Sequence, residues 1–306
     1  MKTTHFERAI FLSWYCGRGD CKFCYMSTQK SKIKEPRKAR RSIESILAEA
    51  FICKQLGWKI EFLSGGYEVF SSQELLEIIK GVYSIYGERL WLNIGALKKE
   101  ELEMYKPYIK GVCGTVECIN TEVQKQVCPS KPISEILKMF KACDDLGLKK
   151  CITIVLGIGE TLKDIPLLID FIKKNKIDKI TFYRLKPQKE TVFENAKPIT
   201  AEYYVSWVKD VRDNFPNIEI VVGSWLDQLD EIHLLLEAGA DSVTKFPSIK
   251  KFGSKYAKKI EEEAKKANHK FEGSLTRLPK INLTGLDEKI KQKVKEYLTS
   301  MGYSLS

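Results

Sequence analysis

The sequence contains no apolar run of the roughly 20 residues that a membrane-spanning helix needs. Its first apolar patch is short and leads directly into a group of cysteines, so we expect no cleavable secretion signal. Internal repeats and low-complexity linkers are also missing. These absences argue against membrane and repeat architectures, and they predict a cytoplasmic protein with no membrane partner.

Cysteine is more abundant than such a protein needs for packing. The 306 residues include nine cysteines, an odd number. Thiols stay reduced in the cytoplasm, where disulfides are rare. The cysteines therefore favour metal binding or redox chemistry over disulfide bonds.

The net charge is +11, because 51 Lys and Arg residues exceed 40 Asp and Glu residues. Such a surplus is either a solvated surface or an attraction for an acidic partner. The densest basic segment, residues 30–41, contains no aromatic side chain on which a nucleotide base could stack. We therefore predict no nucleic-acid partner.

Short β-branched and aromatic runs alternate with amphipathic helical patterns along the chain. The eight runs are residues 9–15, 59–66, 90–96, 110–117, 151–159, 179–187, 218–225 and 241–247. Apolar residues on both faces of these runs indicate a parallel sheet covered by helices, and eight strands close a barrel. We predict an α/β fold, a (β/α)8 TIM-type barrel over residues 1–250, with a C-terminal helical extension over residues 251–306 packed on it. Chemistry is then expected in the loops after the strands.

Three cysteines follow the first predicted strand with the spacing C-x4-C-x2-C: Cys16, Cys21 and Cys24. Three thiolates can hold three irons of a [4Fe–4S] cluster and leave the fourth iron without a protein ligand. A structural zinc site normally has a fourth Cys or His at comparable spacing, and a ferredoxin-type carrier has a fourth Cys. Neither follows nearby, so the triplet favours a cluster with one open iron.

With Tyr25 directly after the third cysteine, this arrangement resembles the radical S-adenosylmethionine (SAM) superfamily. The commonest spacing in that superfamily, C-x3-C-x2-C, is one residue shorter in the first gap. The second strand ends in LSGGYE and the fifth in IVLGIGET, similar to glycine-rich segments of the biotin synthase-like group. The resemblance implies an enzyme that binds SAM on the cluster and cleaves it reductively. The resulting 5′-deoxyadenosyl radical would take a hydrogen atom from a substrate.

By the same resemblance, a set of residues would contact SAM: Tyr25, Ser64, Gly65, Gly66, Glu68, Glu117, Ile158 and Arg184. The glycine segment would meet the methionine amino group, and Tyr25 and Ile158 would lie beside the adenine. Glu117 would contact the ribose or methionine, and Arg184 the methionine carboxylate. Ordinary alternatives stay open: Tyr25 as core filler, Glu117 in a salt bridge, and Arg184 in an ion pair within the barrel.

The remaining cysteines divide into two groups. Cys53 and Cys143 fall in helical patterns and are expected to be buried packing residues. The other four belong to the fourth and fifth strands or the loop between them: Cys113, Cys118, Cys128 and Cys151. The resemblance to biotin synthase makes Cys118, Cys128 and Cys151 the preferred ligands of an auxiliary iron–sulfur cluster, with Cys113 in reserve. The alternative is four scattered structural cysteines.

An auxiliary cluster would favour lipoyl synthesis, the reaction of the archaeal two-component lipoyl synthases that the sequence resembles. These insert sulfur into an octanoyl chain on an acidic lipoyl-carrier domain, and a second radical SAM subunit is a further expected partner. The alternatives are a maturase for the [Fe]-hydrogenase (iron-guanylylpyridinol) cofactor that acts on a small molecule, a biotin synthase-like sulfur insertion, and a non-catalytic iron–sulfur scaffold. In each of the enzymatic alternatives, the electrons would come from a reductase or a ferredoxin.

Overall fold

A computed structural model describes residues 1–303 of the chain. Eight parallel strands run in the order β2-β3-β4-β5-β6-β7-β8-β1, and pairing between β1 and β2 closes them into a barrel. The strands are β1 (Lys2–Phe11), β2 (Lys59–Ser64), β3 (Leu90–Asn93), β4 (Ile109–Glu117), β5 (Lys149–Leu156), β6 (Lys179–Arg184), β7 (Glu219–Gly223) and β8 (Ser242–Thr244). The predicted α/β TIM-type barrel is confirmed.

Helices surround the barrel. They are α1 (Tyr25–Gln29), α2 (Ile43–Leu56), α3 (Ser72–Tyr86), α4 (Lys99–Tyr105), α5 (Thr121–Val127), α6 (Ile133–Leu146), α7 (Ile165–Asn175), α8 (Ala201–Asn214), α9 (Ile232–Glu237), α10 (Lys255–Lys266) and α11 (Glu288–Ser300). Their ends follow local signals: the Ser71 side chain accepts from the Glu74 N–H at the start of α3. Gly57 ends α2 in the left-handed conformation. No helix within residues 1–303 is long and apolar enough to cross a membrane.

The C-terminal region packs on the barrel through a ninth strand and its last helix. Residues Lys2 to His5 of β1 pair in parallel with β9 (His269–Glu272), whereas β1 pairs with β2 further along. Just beyond β9, the Ser274 N–H donates to the Leu56 carbonyl at the end of α2. Helix α11 packs against α2, where Tyr297 Oη lies 2.7 Å from Ser45 Oγ. The predicted boundary at residue 250 stays a prediction.

Strand β1 departs from regular pairing at two places that shape the site. Opposite β2, Arg8 pairs with Ile60 and Ala9 with Phe62, so the register skips Glu61 and forms a β-bulge. Opposite β8, β1 pairs only at His5 and Phe6. Beyond this pairing, toward the carboxyl ends of the two strands, a gap lies between residues 9–11 and residues 244–247. We call this gap the β1–β8 seam.

A buried ion cluster fills the amino-terminal end of the barrel. Lys179 Nζ lies 2.6 Å from Glu7 Oε2 and 3.1 Å from Glu219 Oε1. Burial alone would raise the pKa of Glu7, but the ammonium group of Lys179 overcomes it and holds that pKa well below its usual value. Glu7 and Lys179 therefore form a charged pair inside the barrel.

Candidate active site

The three cysteines of the C-x4-C-x2-C motif lie in the loop after β1 and line one cavity of about 220 Å³ at the carboxyl ends of the strands. Each side chain is half-buried. The backbone N–H groups of Gly19 and Tyr67 each point at Cys16 Sγ at 3.4 Å. Hydrogen bonds of this kind stabilise a thiolate, which is the form that ligates iron.

The cysteine loop is held by backbone contacts with neighbouring loops. The Gly17 N–H donates to the Tyr67 carbonyl at 2.8 Å, and the Lys22 N–H donates to the Val127 carbonyl at 2.8 Å. The contact between the loop after β2 and the cysteine loop requires glycine at position 66, because a Cβ there would lie 2.5 Å from Cys16 Cα. The glycine therefore allows the second strand's loop to touch the cysteine loop.

The donor set fits an iron–sulfur cluster with an open iron. The cavity is lined by the thiols of Cys16, Cys21 and Cys24 and by no other cysteine among the described residues. Burial raises the pKa of Cys24 to about 11, so binding of a positively charged metal centre is needed to hold it as thiolate. Within residues 1–303 no three His, Cys, Asp or Glu side chains stand close enough to ligate a single metal ion. A four-iron cluster is wider than one ion, and thiols spaced around a cavity suit it.

Several of the residues predicted to contact SAM line the same cavity as the cysteines. They are Ser64, Gly65, Gly66 and Glu117. Tyr25 lines an adjoining cavity of about 230 Å³ together with Cys24, and 49% of its surface is exposed. Glu68 is exposed and lies beside Gly17 of the cysteine loop. Ile158 is buried and packs in a cluster with Cys118 and Cys128. The glycine segment and Glu117 are therefore brought to the cysteines, whereas Ile158 lies outside their cavity lining.

Glu117 and Arg184 have protein partners in the structure. Glu117 adopts a left-handed backbone, and its carboxylate accepts from Lys131 Nζ at 2.7 Å. The Arg184 guanidinium is buried and donates to the Glu231 carboxylate and the Ile199 carbonyl. Both contacts match the alternatives stated from the sequence, a salt bridge for Glu117 and an ion pair within the barrel for Arg184. Glu117 lines the cysteine cavity, and Arg184 lines the adjoining cavity with Cys24 and Tyr25. The predicted contact of Arg184 with a methionine carboxylate stays a prediction.

The structure does not bring the preferred auxiliary-cluster ligands together. Cys113 and Cys151 are paired across β4 and β5 and pack with Phe62 and Trp91 inside the barrel. The other two predicted ligands, Cys118 and Cys128, lie in a separate buried cluster, against which Cys21 also packs. Cys113 and Cys151 lie within strands, whereas Cys118 follows the end of β4 and Cys128 the end of α5. The remaining two cysteines, Cys53 and Cys143, are buried in helices, as expected.

Sequence reasoning missed a polar group on the inner wall of the barrel. The Glu61 carboxylate accepts from Tyr183 Oη and Thr244 Oγ1, each at 2.5 Å. Burial raises the pKa of Glu61, and the nearby ammonium of Lys245 opposes this. Tyr183 and Lys245 line the cysteine cavity. The available signals were a glutamate inside an apolar strand, KIEFLS, and a lysine directly after the eighth strand.

Comparison with known protein families gives a match to the model described as the radical SAM superfamily, over residues 14–172. An uncharacterised protein of Methanocaldococcus jannaschii is 43% identical over 275 residues, which cover 90% of this chain and 76% of that protein. A biotin synthase of Anaeromyxobacter sp. is 26% identical over 230 residues, covering 72% of this chain and 62% of the synthase. The chain thus matches less than two thirds of that synthase's length.

Two solved structures have a similar fold. Methylornithine synthase superposes with a TM-score of 0.69 at 19% identity, over all of this chain and 84% of its own. The FeFe-hydrogenase maturase HydG from Carboxydothermus hydrogenoformans superposes with a TM-score of 0.72 at 20% identity, over 98% of this chain and 74% of its own. At these identities the likeness concerns the barrel fold alone.

Proposed function

Since the chain belongs to the radical SAM superfamily, we propose that it starts a radical reaction on a small molecule held inside the barrel, with a single [4Fe–4S] cluster. Cys16, Cys21 and Cys24 would hold the cluster. When bound, the cluster supplies the electron that cleaves SAM into methionine and a 5′-deoxyadenosyl radical. The observation that carries this proposal is that the three thiols and the Gly65–Gly66 segment line one cavity.

The protein's own residues would bind SAM and exclude water from it. The half-buried cysteine loop and the glycine segment line the cavity, as do Glu117 and Tyr183. Glu117 is fixed by Lys131, so its carboxylate is a positioned acceptor for a hydroxyl or ammonium group. The apolar side chains of Phe11, Phe23 and Val155 complete the lining. Such walls protect a reactive radical from side reactions.

The first experiment tests SAM cleavage. Anaerobically reconstituted protein, mixed with SAM and dithionite, is expected to release 5′-deoxyadenosine, measured by liquid chromatography with mass spectrometry. A variant with Cys16, Cys21 and Cys24 all changed to Ala should release none. The variant Cys53→Ala is a matched control, because this cysteine is buried in α2 and should leave the product yield unchanged. Failure of the wild type to form 5′-deoxyadenosine would reject the proposal.

Sulfur insertion into an octanoyl chain on an acidic lipoyl-carrier domain is the second candidate. It is favoured by the net charge of +11 and by an apolar cavity of about 670 Å³ along the β1–β8 seam, which suits an alkyl chain. It requires a second sulfide source, for which the separated Cys113–Cys151 and Cys118–Cys128 groups offer no common ligand set. The small-molecule reaction, of which the hydrogenase-cofactor activity is an example, is therefore preferred. A biotin synthase-like sulfur insertion would need a second sulfide source in the same way as the lipoyl reaction.

Iron and sulfide analysis separates the two candidates. The single-cluster proposal expects about four irons per chain in the reconstituted wild type and none in the triple alanine variant. Residual iron and sulfide in that variant, lost again when Cys118, Cys128 and Cys151 are changed to Ala, would favour sulfur insertion. The carrier domain, a second radical SAM subunit and the electron donor are partners that pull-down with purified candidates would test.

A further inference from the structure

Lys245 occupies an unusual position at the end of the last barrel strand. It follows β8 directly and has a left-handed backbone, with φ of 69°. Non-glycine residues adopt this conformation at an energetic cost, and such residues concentrate at functional sites. The side chain is half-buried and lines the cysteine cavity and both cavities that adjoin it.

No carboxylate among residues 1–303 lies within salt-bridge distance of the Lys245 ammonium group. This group lies 4.1 Å from the centroid of the Tyr183 ring and 5.7 Å from that of Phe11. Within residues 1–303 it forms neither a salt bridge nor a side-chain hydrogen bond. Burial raises the pKa of Glu61 and Lys245 opposes this rise from a distance, whereas the Glu61 carboxylate accepts hydrogen bonds from the Tyr183 and Thr244 hydroxyls instead. Lys245 is therefore held by aromatic faces and keeps its hydrogen-bond donors available.

The other cations that line these cavities all have anionic partners. Arg8 pairs with Glu49, and Arg184 pairs with Glu231. Arg18 forms a salt bridge with Glu135 at 2.7 Å. Lys131 pairs with Glu117 at 2.7 Å. On the rim of the seam cavity, Lys186 lies 3.3 Å from the carboxylate of Asp227. Lys245 is thus the cation of the described site that can meet the anionic group of a ligand.

The space around Lys245 is apolar. The seam cavity, of about 670 Å³, is lined by the aromatic side chains of Phe6, Phe11, Trp14, Trp225 and Phe246. It shares Ala9, Phe11 and Lys245 with the cysteine cavity, so the two spaces meet at the ammonium group. A ligand of the seam cavity therefore needs an apolar body and one anionic group next to the cysteines.

We propose that Lys245 binds the carboxylate of the substrate, and that this substrate is an organic acid whose apolar part lies in the seam cavity. The proposal rests on the proposed function, because it places the substrate beside the site of radical formation. Tyr183 would support the pair by holding the ammonium group in place. A carrier-bound octanoyl group has no free carboxylate, so the proposal also separates the two candidate functions.

The test uses octanoate and 3-phenylpropanoate as probes, each compared with its neutral amide. Isothermal titration calorimetry on the reconstituted protein with SAM is expected to give at least about tenfold tighter binding of an acid than of its amide. Lys245→Met should remove this preference, and Lys245→Arg should keep part of it. Lys186→Met is the matched control, since it changes a paired cation on the same cavity and should leave the preference intact. Circular dichroism checks that each variant is folded.

Other outcomes would overturn the proposal. One is equal binding of acids and amides by the wild type, and another is an unchanged preference in Lys245→Met. A third concerns SAM: if Lys245→Met weakens binding of SAM but not of decarboxylated SAM, the bound carboxylate belongs to the SAM methionine. The two proposals fail separately, because absence of 5′-deoxyadenosine from the wild type rejects radical chemistry, whereas an acid preference that depends on Lys245 would still establish the binding site.

Discussion

Gly66 is the point at which the loop after β2 touches the cysteine loop. Its backbone lies so close to the cysteine loop that a Cβ would stand 2.5 Å from Cys16 Cα, a distance that real structures essentially never show. Its neighbour Gly65 is different, because a Cβ there would meet nothing closer than Leu12 Cβ at 3.8 Å. The two adjacent glycines therefore have separate tasks, and only Gly66 fixes the position of a ligand cysteine.

We predict that Gly66→Ala loses most of its iron and sulfide after reconstitution, because the new methyl group displaces Cys16. Gly65→Ala should load the cluster as the wild type does. Both are measured by iron and sulfide content per chain, with circular dichroism as the check on folding. Equal cluster loading in the two variants would contradict the role given to Gly66.

The buried pair of Glu7 and Lys179 is a second feature at this scale. Removing one partner leaves the other charge buried without compensation, which typically costs about 3–5 kcal/mol. We therefore expect Glu7→Gln to lower the free energy of unfolding by about that amount, measured by urea denaturation. The double variant Glu7→Gln, Lys179→Met should recover much of the loss, because it removes both charges. A double variant less stable than the single one would contradict the explanation.

Some site residues could be predicted and others could not. The cysteines and the glycine segment are recognisable because their chemistry depends on local spacing. Glu61 could not be placed, because the β-bulge between β1 and β2 directs it into the barrel together with its neighbour Phe62. The ion pair of Arg184 with Glu231 could not be predicted, because the two residues are 47 positions apart and a nonlocal ion pair leaves no pattern in the sequence.

At the scale of elements, β9 shows how tertiary contacts create a strand. It has four residues, His269–Glu272, and it forms where the first residues of β1 have no other partner on that edge. The sequence predicted a helical extension in this region and no ninth strand of the sheet. The eight barrel strands were predictable because their apolar runs are bounded by helical patterns, which is a strong local signal.

The turn after β9 allows a test of this docking. Gly273 and Gly285 have similar left-handed backbones, with φ of 77° and 81°. A Cβ on Gly273 would lie 2.7 Å from the Leu56 carbonyl, whereas a Cβ on Gly285 would meet nothing. We predict that Gly273→Ala destabilises the protein by about 1–3 kcal/mol more than Gly285→Ala, by urea denaturation. Equal losses would mean that the contact of β9 with α2 adds no stability.

At the scale of the whole molecule, part of the surplus positive charge follows the cysteine loop directly. The basic segment, residues 30–41, follows the cysteine loop, and Lys30 Nζ donates to the Arg18 carbonyl within that loop. Most of its lysines are exposed. We therefore expect a negatively charged electron donor to be attracted toward the cysteine side of the barrel.

We expect the rate of cluster reduction by an acidic reduced ferredoxin to fall about tenfold between about 50 and 300 mM salt, because ions screen this attraction. Stopped-flow absorbance measures the rate. Photoreduction by a neutral deazaflavin is the control and should be insensitive to salt. If the rate of cluster reduction by ferredoxin does not change with salt, the positive charge does not guide electron delivery.

The position of β1 has a consequence for how the protein is made. Strand β1 needs neighbours that are translated much later, and a hydrogen bond from Thr4 Oγ1 to the Asp241 carbonyl joins residues 237 positions apart. In a nascent chain, residues Glu7 to Phe11 of β1 can pair with β2 early, whereas residues Lys2 to Phe6 stay unpaired until β8 and β9 emerge. During that interval the unpaired part of β1 can pair with a wrong strand. Folding of this barrel therefore requires that the start of β1 stays free until β8 and β9 have been made.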